Sequence, residues 1–311
     1  MISIIRNKYL SILLVIFPSV SLFSQDPDMS HNQIDTEIQI MAENFLKLRP
    51  TQGFNYKKMS ISRAYLWQGR MADYLGIEFG PVIGYKTGGH NTGSSFATFP
   101  KDGIRGLLLE NMLKPNNFKV KLEATKRGFL EADFAFRVKD ASINEANTEI
   151  QLLAGIDAII PFAEIPDPYY EPDTRSVNGT IVSNMGSRFS VMGIPLFVEP
   201  TEFWIKKINN FTFAVHDEHN NLIEEGEISG WYKPLEVVKW LRDHLLSNGI
   251  RLKTGDILSL GNIGIIKQLH PDSPRGPAYK SNSFTLSYYG LSEQPVSCLL
   301  YTSPSPRDNS G

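Results

Sequence analysis

The chain has one cysteine, Cys298, among 311 residues, so no internal disulfide can be drawn. A chain of this length buries enough apolar surface to fold without such staples. Neither sign of charge dominates. A formal net charge of −2 gives no electrostatic reason to bind nucleic acid or an anionic bilayer. Internal repeats are missing, as is low-complexity sequence ahead of the last residues. Glycine-rich as one loop is, the Walker arrangement of glycines, lysine and Ser/Thr is absent, which argues against nucleotide binding. What is present, 41% hydrophobic and 21% charged residues, is ordinary globular composition. The length fits one large domain, or one domain with a helical preamble.

The one strongly apolar run lies at the start. Arg6 and Lys8 precede residues 10–23, which are almost wholly apolar, and Ser24-Gln25 follows. A basic start, an apolar run and a small residue before a polar stretch describe a cleavable signal peptide over residues 1–24. The run falls short of the roughly 20 residues that span a bilayer, and Pro18 disfavours a lasting anchor helix. The expectation is an exported protein, periplasmic or secreted, with no stable membrane insertion after processing. At the other end, residues 296–311 resemble a translated sequencing adaptor and are set apart as a non-native tail.

Between these ends the pattern changes once. Residues 25–80 read as a linker and helical segment. Ile34, Ile38, Met41, Phe45 and Leu46 keep helical spacing, with Asp35 as the expected cap and Pro50 beyond the end. A second helix is expected over residues 62–75, stopped by Gly76. From Val82 short β-branched and aromatic runs alternate with Gly, Asn and Pro, which signals strands. Phe211, Phe213 and Val215 alternate ahead of Asn220-Asn221, predicting a hairpin. A late helix is expected from Pro234, closed by Gly249. The sum is an α+β body, rich in β, over residues 81–295.

Three acidic residues carry the strongest chemical signal. Glu131 and Asp133 are two apart in a strand-like stretch, so both side chains point to one face. Glu164 lies in an otherwise apolar run, where a carboxylate needs a partner. Three convergent carboxylates would make an all-oxygen site for a hard cation, Mg²⁺ or Mn²⁺. A solvated strand face with an edge glutamate is the plainer reading of the same spacing. Gly84-Tyr85-Lys86-Thr87-Gly88-Gly89 places a lysine among glycines, where backbone approaches a ligand closely. A turn with a solvated lysine explains it equally. Glu110 follows three leucines, as a proton shuttle of raised pKa would, or as the last residue of a surface strand.

Taken together these segments resemble the 2-keto-4-pentenoate hydratase and oxalocrotonate decarboxylase branch of the fumarylacetoacetate hydrolase superfamily, from about residue 60 to 291. The loop from Gly84 to Gly88 matches the family's Gly-Tyr-Lys-small-Gly. Glu131 and Asp133 match its Glu-x-Glu metal pair, and Glu164 the acid of its Pro-x-x-Glu-Ile stretch. The resemblance implies a mixed-sheet roll with an N-terminal helical segment. It implies Glu131, Asp133 and Glu164 as ligands of Mg²⁺ or Mn²⁺, with Lys86 and Glu110 as catalytic residues. A small 2-oxo acid is the implied substrate, and a homo-oligomer is compatible with it. The implied reaction is hydration or decarboxylation through a metal-stabilised enolate.

Departures from the family pattern accompany these matches. Asp133 replaces a glutamate, and Glu110-Asn111 keeps only one of two acids. The stretch His90 to Asp102 reads as an insertion. Residues 258–264 lack the family's usual Ser and Thr, and Ser183-Asn184-Met185-Gly186-Ser187 degrades another signature. Two other functions stay open. One is a carbon–carbon bond hydrolase of acylpyruvase type, whose own motifs are absent. The other is an exported, non-catalytic protein that binds oxo acids or metal.

Overall fold

In the computed structural model the described residues are 30–51, 59–89, 100, 103–169, 176–228, 232–270 and 278–303. The expected signal peptide, most of the His90 to Asp102 insertion and residues 304–311 lie outside them. No helix among the described residues is long and apolar enough to cross a membrane.

Two helices lead the chain, α1 (His31–Leu46) and α2 (Ile61–Phe79). Ser30 caps α1, and Gln33 closes a capping box by accepting from the Ser30 amide at 2.8 Å. Such a cap satisfies donors that the first helical turn leaves open. Asp35, the expected cap, instead accepts from Arg70 Nε of α2 at 2.7 Å. Helix α2 runs past Gly76 and ends at Gly80, whose φ of 76° a side chain would resist.

The strands and remaining helices follow in order: β1 (Val82–Gly88), β2 (Ile104–Leu109), β3 (Leu113–Pro115), β4 (Lys119–Lys121), β5 (Phe129–Val138), α3 (Glu149–Ala154), β6 (Ile156–Pro166), α4 (Val177–Val182), β7 (Ser187–Met192), β8 (Leu196–Phe197), α5 (Glu202–Ile208), β9 (Thr212–His216), β10 (Leu222–Glu227), α6 (Pro234–Ser247), β11 (Ile257–Ser259), β12 (Lys267–Gln268), β13 (Ser283–Tyr289) and β14 (Val296–Ser303). One sheet has the order β2-β1-β11-β5-β6-β7-β3, with β12 also on β5 and β8 also on β6. The β1–β11 and β3–β7 pairs are parallel, the rest antiparallel. The second sheet runs β10-β9-β13-β14-β4. The hairpin around Asn220 and the helix starting at Pro234 form as expected.

The end of the chain differs from the sequence reading. Residues 296–303 form β14, antiparallel to β13 and parallel to β4. Cys298 and Leu300 are fully buried. Alternation is the physical reason: Cys298 and Leu300 fall on one face of the strand and fill the core under the second sheet.

Strand register sorts the first sheet into two faces. Paired residues share a face, and alternate residues along a strand return to it. Lys86 pairs with Ser259, Ser259 with Ala135, and Glu131 with Glu164. Lys86, Ser259, Asp133, Glu131 and Glu164 therefore share one face. Leu108, Ala135, Ala158, Ile160, Phe162 and Ile257 form a small apolar cluster on that same face. Tyr85, Leu107, Phe134 and Phe136 belong to the other face and to the large core under the helices.

Candidate metal and oxo-acid site

The polar face of the first sheet is buried. Lys86 is 3% exposed, Glu164 1% and Asp133 0%. Lys86 Nζ donates to Glu164 Oε1 in an ion pair. Three strand steps separate β1 from β6, about 14 Å in a flat sheet. Side chains standing upright on a flat sheet would not meet across that gap, so Lys86 and Glu164 reach toward each other over β11 and β5. Glycine permits the close approach: a Cβ on Gly106 would lie 2.7 Å from Lys86 Cγ.

Asp133 is held from three directions. Its carboxylate accepts from Ser259 Oγ at 2.5 Å, from the Gly261 amide at 3.1 Å and from the Phe134 amide at 2.6 Å. Burial, followed by the nearby charge of Glu164, pushes its carboxyl up to about 8. Tyr288 Oη donates to the Asp133 carbonyl and fixes the backbone there. Glu131, directly opposite Glu164, is half-buried. Close by, Lys267 donates to Glu224 and, at 2.9 Å, to the Ile265 carbonyl. Burial lowers the Lys267 pKa, while Glu224 and Glu131 act in the opposite direction.

These residues suit a hard cation by chemistry and by one specific atom. Glu164 Oε2 is buried without a hydrogen-bond partner. A buried anionic oxygen left so is costly unless a cation or donor meets it. Asp133 and Glu131 add oxygen donors on the same face. Among the described residues, however, no three acidic, histidine or cysteine side chains stand close enough to hold an ion together. The Lys86 ammonium holds the other Glu164 oxygen, and Ser259 and Gly261 hold one of the Asp133 oxygens.

Glu110 is not brought to this group. Strand β2 ends at Leu109, and Glu110 opens a single 3-10 turn with its side chain in solvent. It lies beside Gly80, at the opposite end of the β1–β2 hairpin from Lys86. The three leucines are buried as expected, but the turn rotates the next side chain outward.

Sequence reasoning missed Ser259 and Gly261, which lie in the segment read as eroded. That segment supplies the hydroxyl and the amide that orient Asp133. It also missed Asn184, whose side-chain amide bonds both the N–H and the C=O of Leu107, at 2.7 and 2.9 Å. Asn184, Met185 and Gly186 all have φ between 55° and 67°. Such a run is strained for side-chain-bearing residues. It sets Met185 against the backbone of Gly88 and Gly106, beside the Lys86 stem. An asparagine ahead of a glycine was the available signal.

No family model matches the sequence, and no curated protein matches it. Solved structures do. The chain is similar to 4-oxalocrotonate decarboxylase from Pseudomonas putida G7 complexed with magnesium and adipate. The TM-score is 0.72 at 17% identity, covering 88% of this chain and 99% of that one. The same enzyme complexed with calcium and acetate gives a TM-score of 0.71, with the same identity and coverage. The chain therefore has the fold of that decarboxylase, an α+β arrangement of mixed sheets and helices.

Proposed function

We propose that the protein is a divalent-metal-dependent lyase, a hydratase or decarboxylase of small 2-oxo acids or 2-hydroxydienoates. The observation that carries this reading is the Lys86–Glu164 pair with its unpartnered Glu164 Oε2, on the face that also carries Asp133 and Glu131 beside an apolar cluster. The fold shared with a magnesium-bound decarboxylase supports it. Glu131, Asp133 and Glu164 would hold Mg²⁺ or Mn²⁺. When bound, such an ion acts as a Lewis acid on a carboxylate and its neighbouring oxygen. Lys86 binds and orients the substrate carboxylate as a point charge among glycines that keep side chains out of its way. Ser259 and the Gly261 amide aim Asp133. Burial keeps water from Lys86, Asp133 and Glu164, which strengthens each of these interactions.

Purified mature protein with Mg²⁺ or Mn²⁺ is to be screened against 2-hydroxydienoates and 2-oxo acids by loss of ultraviolet absorbance. The expected result is turnover that chelation abolishes and Lys86→Ala weakens in both KM and kcat. Absence of turnover across the panel, with cation binding intact, would contradict the lyase reading.

A second reading is an exported binding protein for oxo acids or metal. The solvent position of Glu110 favours it, because the expected proton shuttle is not at the site. Both readings keep the export expected from residues 1–24. N-terminal sequencing of envelope protein should begin at or near Gln25, and intact Met1 in the cytoplasm would exclude export.

A further inference from the structure

Behind the Lys86 face, on the helix-covered side of the same sheet, lies a cation with no counterion among the described residues. Arg105 of β2 pairs with Thr87 and so points away from Lys86, toward α2 and α6. It is 3% exposed. Its guanidinium sits over the Tyr65 ring, 4.6 Å from the centroid. Its Nε is buried without a hydrogen-bond partner, and among the described residues no carboxylate pairs with it. Burial depresses its pKa, and only the phenols of Tyr65 and Tyr85 act to restore it.

The neighbouring imidazole is equally short of partners. His244 of α6 packs edge-on to the Tyr65 ring at 4.6 Å and stacks on Trp240 at 5.3 Å. Its Nε2 is buried with no hydrogen bond. Burial and the Arg105 charge keep it neutral at physiological pH. His244 and Trp240 are only half-buried, so the group borders solvent beneath α6. Two unmet nitrogens on adjacent residues, one bearing a full positive charge, are an unusual cost for a folded protein to carry.

We propose that Arg105, His244 and the Tyr65 ring form a binding site for a small monocarboxylate, separate from the Lys86 face. The ion would be singly charged, because one guanidinium balances one charge and the walls are aromatic. A carboxylate suits it, because its two oxygens match the planar edge of a guanidinium whose Nε is unused. His244 Nε2 would supply a further donor in its Nε2–H tautomer.

The test uses the full chain in a zwitterionic buffer, titrated with sodium formate, sodium chloride or sodium sulfate at constant ionic strength. Formate is expected to raise the melting temperature of the parent saturably, by about 3 °C at ten times its dissociation constant. Chloride and sulfate should do less at the same ionic strength. In Arg105→Met the formate response should vanish. An equal response of parent and variant, or an equal response to chloride, would overturn the proposal. A second readout covers failure of Arg105→Met to fold: the ring resonances of His244, identified by their loss in His244→Gln, should shift saturably with formate in the parent. Resonances that stay fixed would overturn it too.

Discussion

Lys86 and Glu164 are each almost wholly removed from water, and each is the other's counterion. Truncating one member of such a pair strands the other charge, at a cost of about 3–5 kcal/mol. Lys86→Met should therefore lower unfolding free energy in urea by that order, while Lys86→Met/Glu164→Gln should lose less than the sum of the single variants. Additive losses would show that the two side chains do not meet. His244 carries the clearest pH signature. Burial, then the Arg105 charge, lowers it from 6.5 to about 4, with Tyr65 and Trp240 as its ring neighbours. Its folded value is depressed, so its contribution is present above pH 6.5 and is lost as pH falls through about 4. Solvent at the half-buried ring screens part of this effect, so the loss is smaller than the full shift would give. Melting temperature should fall across that window, and His244→Phe should flatten the fall. An unchanged profile in the variant would remove His244 as its source. At this scale the sequence showed Lys86, Asp133 and Glu164 because charges in glycine-rich or apolar stretches stand out. It did not show Ser259 or Gly261, since a lone serine and glycine 126 and 128 residues from Asp133 gain meaning only when β11 lies beside β5.

Helix positions were legible from periodicity, but their ends were not. Ser30 starts α1 and Gly80 ends α2, whereas the sequence pointed to Asp35 and Gly76, because capping residues also occur within helices, where a tertiary partner such as Arg70 takes the Asp35 side chain. The terminal strand is the larger surprise. It was set aside for its resemblance to an adaptor, yet Cys298 and Leu300 are buried and its backbone bridges β13 and β4. Deleting residues 296–303 should therefore lower the melting temperature sharply. Leu300→Ala alone should cost about 2–5 kcal/mol, as for other buried leucines. A deletion variant that melts like the parent would place this strand outside the cooperative unit.

Across the whole molecule, the larger sheet gives two chemically distinct faces. The inner one carries Lys86, Asp133, Glu164 and Glu131; the outer one carries Arg105, covered by Tyr65 of α2 and His244 of α6. The sequence motifs pointed to the inner face through strand alternation and resemblance. The outer group was not legible, because Arg105 belongs to no motif and acquires its neighbours, Tyr65 and His244, from helices 40 residues before and 139 after it. The central claim is that the buried carboxylates bind a hard cation. Calorimetric titration of the metal-free protein with Mn²⁺ tests it most directly. The account predicts one site per chain, weakened at least tenfold in Glu164→Gln, whereas the same affinity in parent and variant, or no binding to either, would contradict it.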